Sequence, residues 1–173
     1  MPDYTMPPET ARTLIAALQT HGVDACVGGG WAVDALVGRQ TRTHADLDLW
    51  VDAADFEALV AALATEGMDR LHPWPGDRPW NFVLHDGTSR RLDLHLYERL
   101  PDGRLHYGSV NTPFLFTPED LSGRGEIAGL PVRCEHPEFA LQNHTGYELR
   151  ETDHHDITLL HKHFPHQPPE GTH

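Results

Sequence analysis

The stretch from Gly28 to Val51 constrains this chain more than any other. A glycine triplet, Gly28-Gly29-Gly30, precedes Trp31-Ala32-Val33-Asp34, and Asp46-Leu47-Asp48-Leu49-Trp50-Val51 follows Arg42-Thr43-His44-Ala45. Leu47, Leu49 and Val51 alternate with Asp46, Asp48 and Trp50. On a β-strand that alternation puts both aspartates on one face, about 6.6 Å apart along the chain at ~3.3 Å per residue. Two adjacent anions repel, and a divalent cation relieves the repulsion. Mg²⁺ takes oxygen ligands and is commonly held by one or two carboxylates together with substrate phosphates. An edge strand with solvated aspartates fits the same short pattern, so Asp-x-Asp alone leaves both readings open.

The glycines add a second constraint. Val23 to Val27 reads as a short apolar strand, Gly28 to Gly30 as a tight turn, and Trp31 to Val37 as a helix ended by Gly38. Glycine lets backbone N–H groups approach a ligand closely, and the positive end of a following helix suits a phosphate. The triplet is neither a Walker loop nor a G-x-G-x-x-G fingerprint, because no Lys-Ser/Thr pair or third spaced glycine follows. A plain loop is the alternative.

A third carboxylate lies in Arg91-Leu92-Asp93-Leu94-His95-Leu96-Tyr97, where Asp93, His95 and Tyr97 share the face opposite the leucines. If this strand lies beside the Asp46 strand, Asp93 completes a three-carboxylate site and can accept a proton from an attacking hydroxyl. Otherwise Asp93 is a surface residue and His95 a satisfied structural histidine.

These motifs together resemble the antibiotic nucleotidyltransferases of the DNA polymerase β-like superfamily, in particular the small lincosamide nucleotidyltransferases and the aminoglycoside 2″-nucleotidyltransferases. The resemblance rests on Gly29 to Asp34, on Gly38 to Asp48, on Leu92 to His95, and on His144 to Leu149 with Glu151 to Ile157; it spans roughly residues 20 to 160 in order. It implies an α/β (α+β) nucleotidyltransferase fold, a twisted mixed β-sheet flanked by helices, with its acidic strands side by side and carboxy-terminal helices beside the acceptor cleft. It implies Asp46 and Asp48 as paired metal ligands, and Asp93 as third ligand or general base. Gly29 and Gly30 would contact nucleotide phosphate and Arg42 would lie near the triphosphate, while His95, Tyr147 and Asp153 would touch substrate or nucleotide. Many superfamily members use a lysine near the triphosphate, whereas this chain has only Lys162, so Arg42 or Arg91 would have to serve.

The implied chemistry is Mg²⁺-dependent transfer of AMP from ATP to a hydroxyl of a lincosamide or aminoglycoside, with release of pyrophosphate. Two Mg²⁺ ions would stabilise the attacking and departing oxygens. The alternatives are the same fold acting on another metabolite or on a protein hydroxyl, and a non-catalytic nucleotide-binding module. Nucleotide preference is open at this stage.

Composition agrees with this. At 173 residues and 39% hydrophobic, the chain suits one domain, 1–164 with its carboxy-terminal helical segment, and a loose tail over 165–173. A formal charge of −13 makes nucleic acid a poor partner and favours a cationic acceptor, although a generally acidic, soluble surface has the same charge. Only Cys26 and Cys134 occur, without C-x-x-C spacing, which fits a reducing cytoplasm. No run of ~18 apolar residues suggests a membrane span, and no leader suggests export. A monomer or a homodimer closing the cleft is compatible with the residues.

The other elements alternate. Pro7 to His21 reads as an amphipathic helix, and Ala53 to Glu66, capped by Asp52, as a second with an apolar stripe of Phe56, Leu59, Val60 and Leu63. Asn81 to Leu84 and Arg91 to Tyr97 form a hairpin about Asp86-Gly87, Ile127 to Cys134 a strand pair, and Pro137 to Tyr147 and Asp153 to His163 two helices. Segments 71 to 80 and 99 to 126 read as loops shaping the acceptor pocket, with Trp74 and Trp80 either stacking a ligand or packing. His154-His155-Asp156 invites a rival reading as an HD-type metal phosphohydrolase, but the helical His and Asp ligands that fold needs elsewhere are poorly supplied.

Overall fold

A strand with alternating aspartates can sit inside a fold only if its apolar face is covered and its acidic face opens on a cleft. Both conditions are met in the computed structural model of the chain, which describes residues 3–71, 81–109, 111 and 113–165. In chain order the elements are α1 (Pro8–Thr20), β1 (Cys26–Gly28), α2 (Gly29–Val37), β2 (Leu47–Asp52), α3 (Phe56–Thr65), β3 (Arg70–Leu71), β4 (Asn81–His85), β5 (Arg91–Arg99), β6 (Leu105–Gly108), β7 (Pro113–Phe116), β8 (Gly123–Ile127), β9 (Leu130–Cys134), α4 (Pro137–Gln142) and α5 (Glu151–His163). The loop carrying Trp74 and Trp80, and the tail from residue 166 onward, lie outside the described residues.

The sheet is mixed, in the order β3-β4-β5-β2-β1-β9-β8, with the β6–β7 hairpin paired to the far end of β5. β2 and β5 run parallel, as do β1 and β9, and the other neighbours are antiparallel. The fold is therefore the α+β architecture expected, with the two acidic strands adjacent.

Each face of the sheet has its own core. Leu47, Leu49, Leu92 and Leu94 are fully buried on one side with Leu14, Ile15 and Leu18 of α1 and Leu59, Ala62 and Leu63 of α3. Removing each such leucine from water stabilises the fold by about 1.5–3 kcal/mol. On the opposite side Trp50 and Tyr97 pack with Leu105, Phe116 and Phe139, so the hairpin at 105–116 is a structural lid on the second face. A third cluster of Val33, Ala140 and Leu160 locks α2, α4 and α5 together.

Four expectations need correction. The first helix after the triplet begins at Gly29 rather than Trp31. On α3, Phe56 and Val60 are exposed, and the buried stripe is Leu59, Ala62 and Leu63. A 3-10 turn at Ala53–Asp55, with the Asp52 carboxylate accepting from Ala54 N–H at 3.0 Å, enters the helix and changes its phase. Finally, 99–126 is not loop throughout: it holds β6, β7 and most of β8, and α4 stops at Gln142.

Candidate active site

The parallel register of β2 and β5 sets the site. Asp48 is the direct partner of Asp93, and Trp50 of His95. Asp46 precedes β2 by one residue, and the three aspartates line one open cavity of about 650 Å³ with Gly29, Gly30, Arg42, Arg91, Arg150 and Tyr147. β1 pairs antiparallel with β2 so that Gly28 faces Asp48. Gly29 sits at φ +59° as the first helical residue, and a Cβ there would overlap the Asp48 carboxylate. A side chain at Gly30 would strike Arg42 and His44. Only glycine lets the start of α2 come this close to the acidic strand.

The three carboxylates perturb one another. Burial, then the charges of Asp48 and Asp93, push Asp46 up to about 6. Asp93 is also raised, by burial and Asp48, against the pull of Arg91. The Arg91 guanidinium is bidentate on Asp93, Nε to Oδ1 and Nη2 to Oδ2 both at 3.0 Å, and reaches 4.0 Å from Asp46. His95 joins Asp48 Oδ1 through Nε2 at 3.0 Å, and Tyr107 Oη through Nδ1 at 2.9 Å. Burial works most strongly against charge on His95, but the bond to Asp48 together with the charges of Asp48, Asp93 and Glu135 outweighs it and raises the imidazole pKa. Arg91 and His95 are thus the site's own counter-ions. Among the described residues no group of three or more His, Cys, Asp or Glu is arranged to hold a metal unaided. The donor set itself fits a hard cation, since it offers only carboxylate oxygens under mutual repulsion.

The wall opposite is built differently. Arg42 binds Asp156 of α5 with two bonds, Nε to Oδ1 at 2.9 Å and Nη2 to Oδ2 at 2.8 Å. Thr41 meets His155 Nε2 at 2.9 Å. The Thr41-Arg42 and His155-Asp156 pairs therefore clasp the loop after α2 to the last helix. This gives His155 and Asp156 a structural role while His154 stays exposed, and it commits most of the Arg42 guanidinium to a carboxylate. Behind it Asp34 accepts from Thr41 N at 3.0 Å and from the Thr41 hydroxyl, and pairs with His44 at 2.6 Å. Burial opposes the charge on Asp34, yet these bonds hold its pKa below normal. Asp153 caps α5: Arg150 N, Nε and Nη2 donate to it at 2.8, 3.0 and 3.1 Å, which, with burial opposing, brings it down to about 2. Tyr147, about half exposed, stands at the rim.

One participant carries no sequence signal. Glu135, which follows β9 at its end, is 3% exposed and lines both the main cavity and an adjoining one of about 360 Å³. Gly29, Asp48, Trp50, His95, Tyr107, Phe114 and Asn143 line the smaller cavity with it. Asn143 also went unnoticed, and His144, named only as the start of the carboxy-terminal motif, joins it on the cavity wall because α4 ends ahead of both.

Carboxylates in register on parallel strands, beside a glycine-led helix on an open mixed sheet, define a site of the nucleotidyltransferase class. The chain belongs to the aminoglycoside-2''-adenylyltransferase family, matched over residues 11–160. It is 30% identical over 132 residues to a lincosamide resistance protein of Staphylococcus haemolyticus, covering 76% of this chain and 80% of that protein. It is equally 30% identical over 137 residues to a 2''-aminoglycoside nucleotidyltransferase of Escherichia coli, covering 78% of this chain and 70% of that one. The fold superposes on the lincomycin-bound lincosamide antibiotic adenylyltransferase LnuA with a TM-score of 0.76 and 25% identity, over 90% of this chain and 97% of that chain.

Proposed function

We propose that this chain is a Mg²⁺-dependent adenylyltransferase that moves AMP from ATP to a hydroxyl of a lincosamide or aminoglycoside antibiotic and releases pyrophosphate. The observation that carries the reading is the in-register pairing of Asp48 with Asp93, with Asp46 opening into the same cavity as Gly29 and Gly30. Family membership and the relatives' activities support it.

In this reading the triphosphate lies in the larger cavity. The N–H groups at the start of α2 meet its oxygens, and Arg91 and Arg150 supply the charge that a lysine supplies elsewhere in the superfamily. Arg91 leaves Asp93 for the phosphates as the nucleotide enters. Asp46, Asp48 and Asp93 would hold Mg²⁺, which when bound neutralises these carboxylates and polarises the phosphate. Asp93 takes the proton of the acceptor hydroxyl as its oxygen attacks the α-phosphorus and the bond to the departing pyrophosphate breaks in line with it. Tyr147 lies at the rim where a base or sugar can rest against it.

Incubating the protein with Mg²⁺, each α-labelled nucleoside triphosphate, and a panel of lincosamides and aminoglycosides tests this. Label from ATP is expected in an antibiotic. Label appearing only with cell extract would move the acceptor to another metabolite or a protein. Nucleotide binding with no product in either case would reduce the domain to a binding module.

A further inference from the structure

We propose that Glu135 is the anionic anchor of the acceptor site, gripping a protonated amine of the antibiotic while the aromatic wall beside it takes the apolar face. This rests on the transferase reading and adds to it the charge that the acceptor must carry and the residue that reads it.

The two adjoining cavities differ in chemistry. Arg42, Arg91 and Arg150 all line the larger one, whereas the described lining of the smaller contains no arginine or lysine. Phosphate belongs with the arginines. The smaller cavity, walled by Trp50, Tyr107 and Phe114, shares Gly29, Asp48, Glu135 and Asn143 with the larger one that holds Asp93, so an acceptor seated in it can extend its hydroxyl towards the carboxylates. At about 360 Å³ it falls in the usual range for small-molecule sites, about 300–1,000 Å³.

Glu135 stands on the boundary of the two. Trp50 Nε1 donates to its Oε1 at 2.8 Å and Asn143 Nδ2 to the same oxygen at 3.1 Å. Oε2 takes no hydrogen bond from the described residues, and no Arg, Lys or His among them pairs with this carboxylate. The charge of His95 acts on Glu135 from a distance, but Asp48 and Tyr107 take both its ring nitrogens. A nearly buried carboxylate fixed by two neutral donors, with one oxygen left over, lacks a directly paired cation to compensate its desolvation. Burial, with Asp48 adding to it, accordingly lifts its pKa to about 7. Aromatic faces beside it favour a ligand ammonium further. A scaffold carboxylate in this molecule looks otherwise, as Asp153 and Asp34 illustrate with donors on both oxygens.

Calorimetry without metal tests the anchor, using lincomycin, tobramycin, N-acetylated tobramycin and ATP as probes on wild type, Glu135→Gln and Glu135→Asp. The glutamine variant keeps an acceptor for Trp50 and Asn143 but no charge. Wild type should bind tobramycin at least about 30-fold tighter than its acetylated form. Glu135→Gln should lose about 30-fold for the charged antibiotics, hold the acetylated one within about twofold, and bind ATP as wild type does. Glu135→Asp should retain the charge preference, which a purely structural role would not produce. Equal wild-type affinity for the two tobramycin forms overturns the anchor even where a variant fails to fold, and so does undiminished binding of the charged antibiotics by Glu135→Gln. Wild type that binds ATP but no antibiotic overturns the transferase reading, and the anchor with it.

Discussion

The floor and the wall of the main cavity use the same residue type to opposite ends. On the floor, Asp46 and Glu135 are pushed to about 6 and about 7, and Asp93 is raised as well, because burial and neighbouring carboxylates act together. On the wall, Asp153 falls to about 2 and Asp34 is lowered, because backbone N–H groups, hydroxyls, a histidine and a guanidinium are aimed at them. Solvent exposure alone does not explain the contrast, since Asp34, Asp153 and Glu135 are all buried; desolvation weighs most on Glu135, whereas on Asp153 the bonds from Arg150 outweigh it. What differs is the company each keeps. Carboxylates facing donors hold a fold together, whereas carboxylates facing one another await a ligand.

The most severe test removes a floor charge. Asp48→Asn should cut nucleotide transfer by about 10³-fold or more while the protein still melts cooperatively, because among the described residues only His95 is hydrogen-bonded to that carboxylate. Turnover and a thermal melt on the same preparation decide it. Unchanged turnover would remove Asp48 from the chemistry.

A wall variant should behave in the reverse way. Asp156→Ala leaves the Arg42 guanidinium facing a void and frees α5 from the loop after α2, at a cost of about 3 kcal/mol read by urea unfolding. A loss of transfer without loss of stability in this variant would mean that the clasp belongs to the floor's class.

The same contrast has a pH signature. An aspartate titrates near 3.9 when unfolded, and Asp46 near 6 when folded, so the native state binds that proton more tightly. Protonation of Asp46 stabilises the native state below the unfolded value, and this stabilisation is lost as pH rises through about 6. Asp153 has the opposite sign: its folded value of about 2 gives stability that is present above the unfolded pKa and lost only as pH falls through about 2. In metal-free buffer the melting midpoint of Asp46→Asn relative to wild type should therefore climb between pH 5 and pH 7.5. Added Mg²⁺ should raise the wild-type midpoint more at pH 7.5 than at pH 5, since protons and metal compete for the same oxygens. A flat difference across this range would mean that the floor is already compensated.

Much of the floor was legible because period-two alternation is a strong signal. Asp46, Asp48 and Asp93 each lie on an alternating run, and two acidic faces in one sheet have few ways to be neighbours. The start of α2 was misplaced because two glycines read as a turn, whereas here Gly29 opens a helix at φ +59° against Asp48. On α3 the count favoured Phe56 and Val60, since Ala62 adds little to an apolar pattern although it is the one that is buried. β6 and β7 are four residues each, too short to alternate visibly. The wall's pairs, Arg42 with Asp156 and Thr41 with His155, are separated by 114 residues, and only folding brings them together. Glu135 follows an ordinary strand, and its lack of an ion-pair partner among the described residues is a property of the assembled cavity.

A third kind of carboxylate, at the exposed end of β2, bounds the comparison from below. Asp52 accepts from Arg99 Nε at 2.7 Å and from Ala54 N–H at 3.0 Å. Arg99 is more than half exposed, so water and mobile ions compete with the pair, and Arg99→Ala should shift unfolding by no more than about 0.5 kcal/mol. Asp52→Ala deletes the same ion pair and also the bond to the backbone N–H at the entry to α3, which should cost about 1 kcal/mol. The gap between the two variants isolates what the backbone donor contributes. Equal losses in both would make the guanidinium the partner that matters, and would weaken the view that aimed N–H groups are what turn a carboxylate of this protein into scaffold.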